Sequence, residues 1–185
     1  MQLLGKQLFT NIHGELTGGV IVETEAYNGI TDKASHAYRG RLTNRTKTMY
    51  EAGGVSYVYL CYGIHYLFNI VTGPKDVPHA VLIRGIEPIV GLDIMLQRRN
   101  MSTIKPNISA GPGVLCKALG INKRLNGSEL IGNEIWIEEK EIQIEPYQIV
   151  SSERIGVAYA QEDALLPWRY YIKGNKFVSK PNSFV

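Results

Sequence analysis

The sequence lacks the features of a membrane-bound or secreted protein. Its longest apolar runs, such as residues 80–83 and 89–90, fall far short of the roughly 20 residues that a membrane-spanning helix needs. The first residues show no basic segment followed by an apolar one, as a signal peptide would. We therefore expect a cytoplasmic protein, in whose reducing environment the two cysteines, Cys61 and Cys116, are free thiols.

Motifs for metals, nucleotides and activated serine are also absent. The sequence has no Cys-x-x-Cys and no His-Glu-x-x-His, and its four histidines are scattered. It contains neither of the glycine-rich nucleotide signatures and no Gly-x-Ser-x-Gly elbow. We expect no metal and no cofactor.

The composition is that of an ordinary globular protein. With 185 residues, 44% of them hydrophobic, the chain has the size and apolar content for one core, and we expect one domain over residues 1–185. The net charge of +3 permits a polyanionic partner without requiring one. Residues 33–50 include five basic side chains and no acidic one, which suggests a face for phosphates, although a charge run is more often a solvated surface.

Residues 19–27 alternate as a β-strand. Glu23, Glu25 and Tyr27 share one face, which is costly to bury unless the carboxylates have partners. A solvated strand face is the alternative interpretation. Because both carboxylates point the same way, they do not suit a glycosidase with carboxyls on opposite sides of the scissile bond. One glutamate suits a base, and the other suits pairing with a cation.

Residues 55–72 predict a β-hairpin whose turn lies at Tyr62 and Gly63. Gly63 supplies the positive φ of a tight turn, so Tyr62 projects from the tip instead of packing inward. Residues 81–83 form a buried strand that ends at Arg84.

The remaining pattern predicts further short elements. A helix starts with Pro88 in its first turn and ends near residues 98–99, and a second helix lies between Gly111 and Gly120 with amides free for a phosphate. Residues 135–137 and 142–144 read as a hairpin about Lys140, and residues 151–159 as a strand. Strands dominate without regular βαβ alternation, so the fold class is α+β around a curved, largely antiparallel sheet.

Several ordered segments resemble the alkyladenine (3-methyladenine) DNA glycosylase family of the vertebrate enzyme type. The likeness covers nearly the whole chain. Its segments are residues 22–27 (Val-Glu-Thr-Glu-Ala-Tyr), 35–36 (Ser-His), 57–63 (Tyr-Val-Tyr-Leu-Cys-Tyr-Gly) through 69, 82–88 (Leu-Ile-Arg-Gly-Ile-Glu-Pro), 111–112, 115–123 and 154–157.

The resemblance implies a monofunctional base-excision repair enzyme. Such an enzyme flips an alkylated or deaminated purine out of duplex DNA and hydrolyses its N-glycosidic bond, leaving an abasic site. The expected lesions are 3-methyladenine, 7-methylguanine and hypoxanthine, and the altered hairpin flanks of this chain leave ethenoadenine open. The family roles fall on Glu25 as general base, Arg84 and the backbone carbonyl of Ile155 as water-holding groups, Tyr27, His36, Tyr59 and Asn69 as base pocket, and Tyr62 as intercalating wedge.

A duplex partner also gives the basic residues a role. The predicted phosphate contacts are Arg39, Arg41, Arg45, Lys47, Lys117, Lys123 and Arg124. We expect a compact bacterial monomer that binds double-stranded DNA containing damaged purines, works at the nucleoid and does not bind membranes. His65, beside the hairpin tip, either touches DNA or has no role.

Two other functions remain open at this point. One is a DNA-binding module that uses the same hairpin and basic face without chemistry. The other is a glycosidase that acts on nucleosides or sugars, suggested by Glu23 and Glu25.

Overall fold

The computed structural model of the chain describes residues 1–140, 142 and 144–179. One antiparallel sheet runs through it, with strand order β3-β4-β5-β2-β1-β6, and β8 joins β2 to β7. The strands are β1 (Gln7–Ile12), β2 (Glu15–Asn28), β3 (Ser56–Cys61), β4 (His65–Val71), β5 (His79–Val90), β6 (Ile135–Glu138), β7 (Ile149–Ser152) and β8 (Arg169–Ile172).

Two α-helices and several short 3-10 helices complete the fold. The α-helices are α1 (Leu92–Arg99) and α2 (Pro112–Leu119). The 3-10 helices are Tyr38–Gly40, Lys47–Tyr50, Pro106–Ile108, Lys123–Leu125, Pro146–Gln148 and Ala158–Leu165. The predicted α+β class with a largely antiparallel sheet is confirmed. Within the described ranges, no helix combines the length and apolar character that crossing a membrane requires.

The main core lies between the sheet and α2. Leu115, Ala118 and Leu119 recur at helical spacing and are fully buried, so one face of α2 packs on β4 and β5. Phe68 of β4 and Ile83 of β5 meet that face in the same cluster. This packing fixes the positions of the two strands that carry the hairpin and Arg84.

Two opposed bulges interrupt the pairing of β2 with β5. Ile21 pairs with Ile86 and Glu23 with Gly85, so one residue of β2 is left over between them. The next pair joins Thr24 to Ile83, which leaves Arg84 as the extra residue on β5. Because bulges redirect side chains, they bring the Arg84 guanidinium beside the carboxylates of β2.

The edge of β2 that faces away from β5 pairs with two strands. Residues 15–20 pair with β1, whereas residues 23–25 pair with residues 169–171 of β8. The sheet therefore forks at the predicted carboxylate pair, and β8 adds a second arginine, Arg169, directly opposite Glu25.

The predicted first helix begins later than expected. Pro88 and Ile89 belong to β5, and α1 starts at Leu92, after Gly91 with φ 72°. Pairing of residues 87–90 with the start of β2 outweighs the preference of proline for a first helical turn. β5 pairs with β4 only through residues 80–82, so Pro88 removes no hydrogen bond on that side.

Two strand predictions in the second half are wrong. β6 pairs with β1, and neither Ile142 nor Ile144 is in a strand, so the described residues of this segment form no hairpin about Lys140; residues 141 and 143 lie outside the described part. β7 ends at Ser152, and residues 158–165 form a 3-10 helix instead of continuing a strand. In contrast, the hairpin tip at Tyr62 and the helix between Gly111 and Gly120 are confirmed.

Candidate active site

The two glutamates of β2 are buried, so the solvated-face alternative is wrong. Glu23 and Glu25 are both 0% exposed. Arg84 lies between them, with its Nε donating to Glu23 Oε1 at 3.1 Å and its Nη1 3.3 Å from Glu25 Oε2. Burial lowers the pKa of this guanidinium and the two carboxylates raise it. The pKa is raised overall, because the attraction of the carboxylates outweighs the desolvation.

Glu23 accepts four hydrogen bonds. Its Oε1 accepts from Arg84 Nε, from Arg169 Nε at 2.7 Å and from Ser179 Oγ at 2.8 Å. Its Oε2 accepts from the backbone amide of Ser179 at 2.6 Å. A carboxylate offers about four lone-pair positions, two on each oxygen, so three donors crowd Oε1 while Oε2 accepts one. Glu23 is thus the glutamate that pairs with cations.

Asp32 also accepts four hydrogen bonds, two on each oxygen. Arg154 reaches it with two nitrogens, Nη1 at 2.5 Å and Nη2 at 2.9 Å, and the amides of Asn28 and Ala34 donate at 3.1 and 2.9 Å. The Arg154 guanidinium also stacks on the Tyr27 ring, 4.9 Å from its centroid. This bidentate pair therefore fixes the end of β2 and the back of the Tyr27 ring.

Glu25 is the buried carboxylate with lone pairs to spare. From the described residues it accepts two hydrogen bonds, one from the Ile155 amide to Oε1 at 2.7 Å and one from the Tyr27 hydroxyl to Oε2 at 2.9 Å. The Arg84 contact adds charge at 3.3 Å. A carboxylate with four lone-pair positions and two accepted bonds has room to accept a further proton donor, such as a water molecule.

An aromatic cavity lies on one side of Glu25. It has a volume of about 40 Å³ and is lined by Tyr27, Ala34, His36, Met49, Tyr57, Tyr59, Asn69, Ala80 and Tyr159. This set contains all four residues predicted for a base pocket. Burial and the adjacent Glu25 raise the pKa of Tyr27, which keeps its hydroxyl protonated as a donor.

The His36 ring is held edge-on to two tyrosines. Its centroid lies 4.6 Å from that of Tyr59 and 6.1 Å from that of Tyr57. Its Nδ1 bonds the Tyr57 hydroxyl at 2.9 Å, and Arg45 Nη2 approaches Nε2 at 3.3 Å. Since arginine only donates, Nε2 is the acceptor and Nδ1 carries the proton. Burial, with the Arg45 charge, lowers the pKa of His36 to about 4, so the ring is neutral at pH 7.

A wide groove lies on the other side of Glu25. Its volume is about 1400 Å³, and Arg84, Ile155 and Tyr62 are among its lining residues. Glu25 therefore touches one residue of the aromatic cavity, Tyr27, and two residues of the groove. The carboxylate itself lines neither cavity, and it contacts lining residues of both.

Tyr62 stands at the tip of the β3–β4 hairpin and is 90% exposed. Tyr62 and Gly63 both have positive φ, 50° and 72°, and the Ile64 amide donates to the Cys61 carbonyl, as in a type I′ turn. Leu60 and Ile64 are also exposed, at 45% and 72%. The tip therefore presents an apolar wedge that no described core surrounds.

The predicted phosphate-binding residues fall into two groups. Arg39, Arg41 and Arg45 line a groove of about 730 Å³ next to the aromatic cavity, and Lys47 is exposed in the same segment. Lys117 lies on α2, and Lys123 and Arg124 on the 3-10 helix that follows; Arg124 is paired with Glu134 at 2.6 Å. The first group adjoins the site.

Sequence reasoning missed the residues that support this site. Asp32, Arg154 and Arg169 are each 7% exposed or less, and their partners are far away in the chain. Tyr57 was counted only as a strand residue, and Tyr159 as the end of one. The signal for Tyr57 was its place two residues before Tyr59 on the same strand face.

A curled antiparallel sheet, a buried glutamate with free acceptor positions beside an aromatic cavity, and a basic groove are the features that a hydrolase acting on a base in nucleic acid needs. A profile of the family described as Methylpurine-DNA glycosylase matches residues 1–176. The chain belongs to this family of DNA repair glycosylases.

Bacterial relatives agree with this membership. A protein of Clostridium perfringens (strain SM101 / Type A) is 49% identical over 97% of this chain and 91% of its own length. Proteins of Chlamydia felis and Desulfitobacterium hafniense are 47% and 44% identical, over 95% and 96% of this chain and 89% and 90% of their own lengths. Each carries the name "Putative 3-methyladenine DNA glycosylase".

Proposed function

We propose that this protein excises alkylated and deaminated purines, including 3-methyladenine, 7-methylguanine and hypoxanthine, from double-stranded DNA. The water activated by Glu25 attacks the sugar carbon, the electron pair of the N-glycosidic bond leaves with the base, and an abasic site remains. A methylated purine leaves neutral, whereas hypoxanthine gains a proton, balanced by the one that Glu25 takes from the water. The observation that carries the proposal is the difference among three buried carboxylates, since Glu25 alone accepts two described hydrogen bonds where Glu23 and Asp32 accept four each.

The aromatic cavity and the groove suit the two reactants. The damaged base occupies the aromatic cavity beside Tyr27, and water reaches Glu25 from the groove that Arg84 and Ile155 line. Glu25 accepts the proton of the water as it attacks, while Arg84 and the Ile155 carbonyl hold the water oxygen and its second proton. Base and water then stand on opposite sides of the sugar carbon.

The cavity favours an electron-poor base. A 3- or 7-methylated purine carries positive charge, and aromatic faces at Tyr27 and Tyr59 attract a cation that a normal base does not provide. Because His36 is neutral above its pKa of about 4, it does not repel such a base. Asn69 lines the same cavity, and its amide donates to the Tyr57 carbonyl at 3.1 Å. In this proposal its side chain disfavours the 2-amino group of guanine.

The exposed hairpin and basic groove suit a flipped nucleotide. Unpairing and unstacking a nucleotide costs a few kcal/mol, and a stacked aromatic side chain at Tyr62 recovers about 1–3 kcal/mol of it. The arginines of residues 39–45 bind phosphates without reading sequence, so the duplex is positioned with Tyr62 at its minor groove. We propose that the protein does this as a monomer.

Excision from a defined duplex tests the proposal. Glu25→Gln removes the carboxylate that acts as the general base. We expect the single-turnover rate on a hypoxanthine duplex to fall by about 10²- to 10⁴-fold, with duplex affinity retained. Glu129→Gln, at an exposed carboxylate, is the matched control and keeps the wild-type rate. Alkali cleavage of the abasic product on a gel gives the rate.

Three results would contradict the proposal. If the wild-type protein binds the duplex but releases no damaged base, it is a DNA-binding module without catalytic activity. If the Glu25→Gln variant excises hypoxanthine at the wild-type rate, the general base is a different residue. Turnover of free nucleoside at the duplex rate, with Tyr62→Ala harmless, indicates a nucleosidase instead.

A further inference from the structure

One wall of the aromatic cavity differs from the others. Of the nine lining residues, Met49, Tyr57, Asn69, Ala34 and Ala80 are buried, and Tyr27, His36 and Tyr59 are half-buried. Tyr159 is 67% exposed. Within the described structure, Tyr159 is therefore the solvent side of the cavity.

The cavity in its present form is too small for a purine. A volume of about 40 Å³ holds no more than a few water molecules. The deep side has little room to give, because Met49 and Tyr57 are 2% exposed and pack with Val71 in a separate core cluster. Space for a base has to come from the outer wall.

The Tyr159 side chain is fastened by a single described hydrogen bond. Its hydroxyl donates to the Ala34 carbonyl at 3.1 Å, across the opening of the cavity. The ring borders the basic groove as well, so it stands between the site of phosphate binding and the base pocket. A nucleotide that swings from the duplex into the cavity has to pass it.

The backbone that carries Tyr159 is held more firmly than its side chain. Ala160, the next residue, is fully buried, and its amide donates to the Val157 carbonyl at 2.8 Å. Asp163 lies beyond a kink at Gln161, and its carbonyl accepts from Arg154 Nη2 at 3.0 Å. Arg154 is itself buried in its pair with Asp32. Opening therefore proceeds by rotation of the Tyr159 side chain after its bond to Ala34 breaks.

We propose that Tyr159 is the movable outer wall of the base pocket and a specificity-determining residue that limits the size of the purine admitted. The inference rests on the proposed function. A small base such as hypoxanthine needs a modest rotation of the ring. A base enlarged by a fused ring, such as 1,N6-ethenoadenine, needs the ring fully displaced.

Excision of two lesions from otherwise identical duplexes tests whether Tyr159 limits the size of the purine that enters the cavity. The measured quantity is the ratio of single-turnover rates, ethenoadenine over hypoxanthine, in wild type, Tyr159→Ala and Tyr159→Phe. We expect Tyr159→Ala to raise the ratio by about tenfold or more, the scale on which a pocket discriminates small differences in size. Tyr159→Phe keeps the ring but loses the bond to Ala34, and its ratio should lie between the two.

A matched control separates this effect from loss of an exposed aromatic ring. Tyr147 is 79% exposed, also lies in a 3-10 helix and does not line the cavity. Tyr147→Ala should leave the ratio unchanged. An unchanged ratio in Tyr159→Ala with hypoxanthine excision intact would overturn the inference, and a Tyr159→Phe ratio equal to wild type would overturn the part given to the hydroxyl.

A second measurement does not depend on hydrolysis. In a Glu25→Gln background the fluorescence of ethenoadenine in the duplex reports movement of the base, because the stacked and flipped bases emit differently. We expect faster insertion when Tyr159→Ala is added. If wild type excises no base but Tyr159→Ala speeds insertion in the Glu25→Gln background, the proposed hydrolysis is wrong and the role of Tyr159 as the movable wall is supported. Equal insertion rates overturn the wall even in an active enzyme.

Discussion

Replacing Glu23 by glutamine changes a carboxylate that is fully buried and surrounded by donors alone. Oε1 accepts from three donors and Oε2 from one. Glutamine has the same shape but carries two N–H groups in place of one oxygen. Whichever orientation the amide adopts, its nitrogen faces at least one donor at hydrogen-bond distance.

The cost follows from the two guanidiniums that share this carboxylate. The Glu23, Arg84 and Arg169 side chains are 0%, 8% and 8% exposed, so solvent does not replace the lost charge. Breaking a buried ion pair by removing one partner costs about 3–5 kcal/mol. With an m-value of about 2 kcal/mol per molar urea, the midpoint of unfolding should fall by about 2 M.

Urea unfolding followed by circular dichroism measures this shift, and Glu134→Gln is the matched control. Glu134 also pairs with an arginine, Arg124, at 2.6 Å, but the two side chains are 52% and 47% exposed. An exposed pair contributes about 0.2–1 kcal/mol. The same chemical change should therefore cost several times less at Glu134.

Equal shifts in the two variants would refute this reasoning. They would mean that the buried network relaxes or admits water as readily as the surface pair. A Glu23→Gln variant of wild-type stability that has lost excision would be a different contradiction, because it would place Glu23 among the groups that act on the substrate. The structure instead surrounds it with four donors, among them two arginines.

Two further predictions concern His36 and the hairpin. Because burial and the Arg45 charge set the pKa of His36 at about 4, its ring should show no titration midpoint in NMR spectra between pH 5 and 8, roughly the range in which an unperturbed histidine titrates. Arg45→Gln should raise the midpoint while leaving it below the ordinary value, and a midpoint unchanged by the substitution would contradict the contribution of Arg45. A β-carbon at Gly113 would lie 2.9 Å from His65 Cγ, so Gly113→Ala should displace the hairpin and slow excision. Adding His65→Ala should restore the rate, and a double variant no faster than Gly113→Ala would contradict the clash.

The parts of the site that lie within one strand or turn were predictable from the sequence. Alternation on β2 placed Glu23 and Glu25 on one strand face, and the turn at residues 62–63 placed Tyr62 at a tip. The resemblance added His36 and Asn69, which the fold brings together in one cavity. These predictions depend on local geometry, or on motifs that keep their spacing.

The partners of the carboxylates were not predictable, because they come from distant parts of the chain. Arg169 reaches Glu23 across 146 positions and Arg154 reaches Asp32 across 122. No local period connects such residues. Residues 151–159 looked like a strand because they carry β-branched and aromatic side chains, but Arg154 turns inward to Asp32 and Gly156 takes φ 77°, which ends the extended run.

The buried charges of the site form a balanced set of three carboxylates and three guanidiniums: Glu23, Glu25, Asp32, Arg84, Arg154 and Arg169. Such a network adds little to stability, since desolvation offsets most of the attraction. The network instead fixes the positions of the side chains around Glu25. Glu23 fixes Arg84 beside Glu25, and Asp32 fixes Arg154 behind the Tyr27 ring that donates to Glu25. Two carboxylates thus accept four hydrogen bonds each, while the third accepts two described ones; for the proposed hydrolysis this is a preorganised arrangement, which lowers the cost of charge movement.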